Sequence, residues 1–345
     1  MKKIMLFVGV VLVASMLLTA CGGGAPAATG LNICNVNDMG GVDDRSFNAT
    51  AWKGTQDSIA KYGGKGSYLE SKQESDYAKN INAYLPQKCD VIICVGFLMN
   101  KAGEEAAKAN PNQKFAYIDY AWDPAIPNMR ASVYAINQAT FLAGYLAASF
   151  TKTGKVGTYG GMQFPSVTDF MDGFALGVQK YNEVKGTNVE VLGWDMAANT
   201  GLFSGDFMDT DKGKNVTLTL LDQGADIIMP VAGPVGAGTL AALKERGTGL
   251  MVGVDTDWSA FYTDYKDFIL ASATKRMDMF IVQTVGMIKD GTFKGETWTA
   301  NLENDGVGLV IGAAFKDKVS AEMVKELDAL KADIIAKKIE TGVKR

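Results

Sequence analysis

Short apolar runs alternate with longer amphipathic stretches along most of the chain. Leu31–Val36, Asp90–Val95, Lys114–Asp119, Lys155–Tyr159, Val189–Trp194, Asp226–Val231, Leu250–Val254 and Ile269–Thr274 are rich in Val and Ile and have strand length. Between them, Asn48–Tyr62, Tyr77–Leu85, Ala102–Asn110, Gln138–Phe150, Val167–Asn182, Lys212–Leu221, Gly238–Arg246 and Met277–Asp290 repeat their apolar residues at helical spacing. Ser320–Lys337 adds a last helix. Continuous apolar strands alternating with helices predict an α/β fold, its parallel sheets covered on both faces. Eight such strands suit two doubly wound domains joined by a hinge better than one half-sized sheet. A single (β/α)₈ barrel is the competing architecture.

The expected seam lies near Tyr134 to Asn137, where a strand gives way to an Ala-rich helix. One domain is then expected to hold residues 31–135 plus about 276–295, and the other 136–275 plus about 296–345. In open parallel sheets, ligands settle beyond the carboxyl ends of strands. Asp38, Phe97, Asp119, Gly233 and Asp255 all fall at such ends, so two facing domains would gather them in one cleft.

The first twenty residues read as a signal peptide. Lys2 and Lys3 precede an apolar run from Ile4 to Leu18, shorter than the ~20 residues of a membrane span. Leu18-Thr19-Ala20-Cys21 resembles a bacterial lipobox, which implies lipidation of Cys21 and anchoring on the extracytoplasmic side of the cell membrane. Residues 21–30 are small and aperiodic, as expected of a flexible tether.

Composition narrows the chemistry. There is no histidine, which removes Ser-His-Asp and Cys-His nucleophiles and HExxH zinc sites. Net charge is −4 with no basic stripe, so nucleic acid is not an expected partner. No cofactor or metal is expected. Cys34, Cys89 and Cys94 lack CxxC spacing and read as buried free thiols, with a single bridge left open.

The loop Asn37-Asp38-Met39-Gly40-Gly41-Val42-Asp43-Asp44-Arg45-Ser46-Phe47-Asn48 is the richest segment. Asp44 or Ser46 is placed to cap the following helix. Phe47, an aromatic beside a polar loop, suits a stacking platform better than a core. The loop lacks calcium-loop spacing. A second platform is expected in Gly201–Lys214, with Phe207 favoured over Phe203. Gly233-Pro234-Val235-Gly236-Ala237-Gly238 opens a helix but fails the GxGxxG pattern, leaving a turn that lines the cleft. Asp255 can accept hydrogen bonds from two neighbouring hydroxyls. Lys275 is placed either to donate to a ligand or to pair with Asp255.

Taken together, these segments resemble the basic membrane protein family of bacterial lipoproteins, the purine nucleoside receptors of ABC transporters. The resemblance rests on the Asn37–Asn48 loop, the Phe115–Asp119 strand, Gly160-Gly161 with Pro165-Ser166-Val167, and Asp172-Gly173-Phe174. It continues through Ser204-Gly205-Asp206-Phe207 with Lys212-Gly213-Lys214, Ala232-Gly233, Gly253–Asp257 and Thr274-Lys275-Arg276. It implies a type I periplasmic-binding fold, a non-enzymatic role and an ABC permease as partner. It also implies a purine nucleoside held by Asp38, Phe47, Asn48, Asp119, Phe207, Gly233, Asp255 and Lys275. Phe47 and Phe207 would sandwich the base, while Asp255 and Lys275 would hold the ribose. Trp258 stands where relatives often carry Gln, and Ser259–Phe268 is longer than usual. Three other functions fit the same residues: a receptor for a sugar, a nucleoside hydrolase using Asp38, Asp43 and Asp44 around a metal, and an adhesive or sensory lipoprotein.

Overall fold

A computed structural model describes residues 30–343. The leader, the lipobox with Cys21 and nearly all of the tether lie outside the described residues.

Fourteen strands are assigned among these residues. They are β1 (Leu31–Asn37), β2 (Gly64–Glu70), β3 (Val91–Val95), β4 (Phe115–Ile118), β5 (Met129–Tyr134), β6 (Lys155–Gly160) and β7 (Glu190–Leu192). There follow β8 (Trp194–Asp195), β9 (Thr200–Gly201), β10 (Ile227–Val231), β11 (Leu250–Asp255), β12 (Ile269–Lys275), β13 (Thr297–Ala300) and β14 (Val307–Ile311). The helices are α1 (Phe47–Tyr62), α2 (Ser75–Tyr84), α3 (Asn100–Ala109), α4 (Ile136–Phe150) and α5 (Pro165–Lys185). Further along come α6 (Thr210–Asp222), α7 (Gly236–Arg246), α8 (Trp258–Phe261), α9 (Met277–Lys289) and α10 (Ala321–Ile335).

Two separate six-stranded sheets form, in the orders β13-β5-β4-β3-β1-β2 and β14-β12-β11-β10-β6-β7. This arrangement excludes the barrel, which needs one closed sheet. Every pairing in the first sheet is parallel. In the second only β14 runs antiparallel, against β12. The central strands β3, β4 and β10 are buried along their whole length, as helices on both faces require.

The chain passes between the sheets three times: after β5, after β12 and between β13 and β14. These crossings are hydrogen-bonded to one another. Ala135 N donates to Ala300 O at 2.8 Å and Arg276 N to Gly306 O at 2.9 Å. Leu302 N donates to Gln138 Oε1 at 2.9 Å.

The last crossing corrects the expected boundary at 296. Thr297–Ala300 pairs in parallel with β5, so the first sheet keeps the chain until Ala300. The physical reason is that β13 is an edge strand with exposed Thr297 and Thr299, which leaves no apolar run to read. β2, another edge strand, has no buried position to read, whereas β14 is VGLVI, without a polar or charged side chain, and is legible as a strand by its sequence.

Of the two readings left open for the cysteines, buried free thiols and a single bridge, the bridge is the one present. Cys34 and Cys89 form a disulfide, and Cys94 alone of these three is free and buried. Cys89 lies in the loop before β3, beyond the strand run, and its pairing with a residue 55 positions away has no signature in local spacing.

Candidate functional site

The carboxyl ends of the strands of both sheets face each other across one cavity. Its lining includes Asp38, Asp44, Phe47, Asn48, Asp119, Phe207, Gly233, Asp255 and Lys275. All eight expected ligand residues are therefore brought together, with Phe97, Phe164 and Phe170 beside them. A wider, open groove reaches Asp255 and Lys275 from one flank. It lacks the convergence of strand-end carboxylates and aromatic rings from both sheets that the cavity has, so the aromatic cavity is the better candidate site.

The first loop is built around Asp44. Its carboxylate accepts from Ser46 N at 2.9 Å, Asn48 N at 2.8 Å and Ala49 N at 2.9 Å. It satisfies amides that α1 leaves without internal partners. This is the expected capping role, but Ser46 does not share it. The Ser46 hydroxyl instead donates to Asp255 Oδ2 at 3.2 Å, joining the two halves of the molecule. Asp43 is exposed and faces the outer groove. Asp38, Asp43 and Asp44 thus do not converge as a metal-dependent hydrolase would need. No group of three or more Asp, Glu, Cys or His side chains that could hold a metal occurs among the described residues.

Asp38 follows β1, and its Oδ1 accepts from Asn48 Nδ2 at 3.0 Å. Its other oxygen lies against Gly96, where an added Cβ would come within 1.9 Å, so only glycine admits the carboxyl here. Burial, against the lowering effect of the Asn48 hydrogen bond, pushes the Asp38 carboxyl well above its ordinary range. In its protonated form this carboxyl has one O–H to offer.

Asp119 and Asp255 end β4 and β11 with φ of 72° and 69°. Side chains other than glycine adopt this left-handed region at a cost, and Asp is among the few that tolerate it. Lys275 Nζ donates to both oxygens of Asp119 at 2.9 Å, while the rings of Phe170, Tyr134 and Phe47 lie 5.0, 5.3 and 5.6 Å from the ammonium. Lys275 therefore pairs with Asp119, and Asp255 is left with Ser46. Burial raises the Asp255 carboxyl to about 6, opposed by the Lys275 charge and reinforced by Asp119.

Phe207 stands on a stapled turn. Asp206 Oδ1 accepts from Met208 N and Asp209 N, each at 2.9 Å, and Lys212 pairs with the same carboxylate. Ser204 N and Gly205 N donate to Gly160 O and Gly161 O at 2.9 and 2.8 Å. A Cβ on Gly161 would fall 2.2 Å from the Phe207 ring and one on Gly160 2.6 Å from the Phe203 ring, which explains the paired glycines at the end of β6. Phe203 packs edge-on against Trp194 instead and is not part of the cavity lining.

Phe47 and Phe207 both reach the cavity, and Phe207 is one member of a run of stacked rings there. Phe164 lies 6.4 Å from Phe207 with planes 21° apart, and 4.9 Å from Phe97 at 26°. Sequence reasoning missed Phe164, which sits between an exposed Gln163 and Pro165 at the start of α5. The one available signal was Pro165, which marks a helix start after a strand and therefore a cleft position. Trp258 does not touch the ligand cavity. It is wholly buried behind Asp255, with Nε1 donating to Val254 O at 2.8 Å.

Residues 32–345 match the profile of a family described as PnrA-like ABC transporter substrate-binding proteins. An ABC transporter nucleoside-binding protein, BmpA, of Lactococcus lactis is 30% identical over 98% of this chain and 99% of its own. Basic membrane protein A of Borreliella burgdorferi is 29% identical over 98% of this chain and 95% of its own. A solved ABC transporter solute-binding protein from Aeropyrum pernix superposes with a TM-score of 0.80 at 25% identity, covering 90% of this chain and 92% of that one.

Proposed function

The chain belongs to the Bmp family of PnrA-like ABC transporter substrate-binding proteins, and from that premise we propose that it captures a purine nucleoside and hands it to a membrane permease. The observation that carries this reading is the convergence of aromatic faces and buried carboxylates from both sheets on one cavity.

Each half of a nucleoside has a counterpart. The base stacks on Phe47 and Phe207, with Phe164 beside them, and such stacking contributes about 1–3 kcal/mol per base while tolerating different bases. Asp38 and Asn48 face its polar edge. The ribose hydroxyls donate to ionised Asp255, a charged hydrogen bond worth roughly 1.5–3 kcal/mol. An ammonium has three donors; Asp119 takes two from Lys275, leaving one for the sugar. The nucleoside-binding name of the Lactococcus lactis relative supports the same ligand class.

Anchoring through lipidated Cys21 on the extracytoplasmic face belongs to the same proposal. No described helix is long and apolar enough to cross a membrane. The Cys34–Cys89 disulfide accords with an oxidising compartment. Substituting Cys21→Ala in the full-length chain is expected to release the protein from the membrane fraction; unchanged membrane retention would refute lipid anchoring.

The test of the ligand is mass spectrometry of small molecules released on denaturing the purified protein, followed by calorimetry. Adenosine, guanosine or inosine is expected to bind, with ribose and the free bases each much weaker. Tight binding of a sugar and no response to nucleosides would replace this reading by a sugar receptor. Release of free base on incubation would make the protein an enzyme.

A further inference from the structure

The residue before Ser46 adopts a conformation that the binding site does not explain. Arg45 has φ of 53°, a region that long side chains rarely occupy, although it is exposed and not a cavity residue. Its guanidinium lies across the gap between the two halves, 5.4 Å from the ring centre of Tyr262. Outliers of this kind persist where the surrounding structure holds them and often mark a functional contact.

Tyr262 is itself firmly backed. Its ring stacks on Trp258 at 4.8 Å with planes 13° apart. Trp258 is fixed in turn by Nε1 to Val254 O at 2.8 Å and by its own N–H to Ser272 Oγ at 3.1 Å. Tyr265 meets Tyr262 edge-on at 6.5 Å, and Lys244 lies 4.8 Å over Tyr265. A polar loop of one half therefore meets an aromatic stack rooted beside the ligand carboxylate Asp255 of the other.

We propose that Arg45 and Tyr262 form a latch between the domains, a pair of positioning residues that hold the cleft shut and set how slowly ligand leaves. The three consecutive residues divide the work of closure. Arg45 grips Tyr262, Ser46 bonds Asp255, and Phe47 presents its ring to the cavity. The latch contact lies outside the cavity, so it acts after the ligand has entered, on dissociation more than on association. It rests on the reading that the cavity holds a small ligand.

The test is stopped-flow release of a bound nucleoside from the mature protein, paired with small-angle X-ray scattering of the ligand-free protein. Arg45→Gln and Tyr262→Leu are each expected to speed release roughly three- to thirty-fold, the range an arginine–aromatic contact provides, with association unchanged. Combined, they should be no worse than either alone. Arg45→Lys and Tyr262→Phe keep a cation and a ring, and should stay near wild type. Without ligand, Arg45→Gln should show a larger radius of gyration. Unchanged release together with an unchanged radius, or fully additive effects, would overturn the latch. Should the wild-type protein bind no nucleoside, the proposed ligand falls, and the ligand-free radius alone decides the latch.

Discussion

Lys275 donates to both carboxylate oxygens of Asp119 at 2.9 Å, so the end of β12 in one sheet is tied to the end of β4 in the other by a buried ion pair. Lys275 has 2% of its side chain exposed and Asp119 8%. The pair sits where the chain crosses between sheets, and the aromatic rings around the ammonium exclude water from it.

Removing one partner of such a pair leaves the other charge buried and uncompensated, which costs about 3–5 kcal/mol. Lys275→Met is expected to destabilise the protein by that amount in urea denaturation. Adding Asp119→Asn to it should restore a large part, because no charge is then stranded. Equal stability of Lys275→Met and wild type would mean the two groups are hydrated in solution.

Ligand binding should depend on Asp255 and on pH with a fixed sign. Burial raises this carboxyl to about 6, with Lys275, Asp119 and Ser46 as the groups that bear on it. The ionised form accepts from two ribose hydroxyls with both oxygens, whereas the protonated acid gives up part of that acceptor capacity and its charge. Affinity is therefore full well above pH 6 and falls as pH drops through it, by about ten-fold between pH 7.5 and 5. Asp255→Ala should weaken nucleoside binding at least ten-fold at neutral pH, on the order of the 1.4 kcal/mol that one decade represents, and flatten this pH dependence. Calorimetry across pH 5–8 checks both; an unchanged affinity in Asp255→Ala would remove that residue from the site.

The same shift has the opposite consequence for folding. Because the Asp255 carboxyl is raised from 3.8 to about 6 on folding, the folded state holds more protons than the unfolded between those values. Stability from this group is thus present below about 3.8 and is lost as pH rises towards 6. Asp255→Asn removes the buried charge, so it should stabilise the protein at pH 7.5 by on the order of 1–3 kcal/mol and leave it unchanged near pH 3.5. Thermal melts of the ligand-free protein at the two pH values decide this, and a loss of stability at pH 7.5 would contradict it.

The sheets and the acidic site residues were legible in the sequence because each is tied to a local pattern. Buried parallel strands write themselves as Val and Ile runs, and Asp38, Asp119 and Asp255 each follow such a run directly. What stayed hidden depends on partners distant in the chain. Phe164 shows its role only through its stack with Phe97 of the other half. Ser46 occupies a helix-cap position, yet its hydroxyl is drawn off by Asp255, while Asp44 supplies the capping acceptors. For Lys275 the sequence offers Asp255 or the ligand as partner, and the positive φ of Asp119 leaves no mark on the sequence. Edge strands β2 and β13 carry exposed or half-exposed positions, so no apolar run announces them, whereas β14 is the apolar run VGLVI.

The disulfide offers a measurement independent of the cleft. Cys34 lies within β1 and Cys89 before β3, 55 residues apart, and closing a loop of that length restricts the unfolded chain by about 4 kcal/mol in the chain-entropy account. Cys34→Ala combined with Cys89→Ala should therefore lower stability by roughly 2–4 kcal/mol. Nucleoside affinity should stay within about two-fold, since neither residue lines the cavity and distant sites act nearly independently. Cys94 is enclosed, with burial pushing its thiol up to about 12, and the thiolate is the form that reacts. In the native mature protein, a thiol reagent should leave Cys94 unlabelled, and it should react once the chain is unfolded in denaturant without reductant. Rapid native labelling of Cys94 would show that the first sheet opens locally, and an undiminished stability in the double Ala variant would show that the bridge adds nothing to folding.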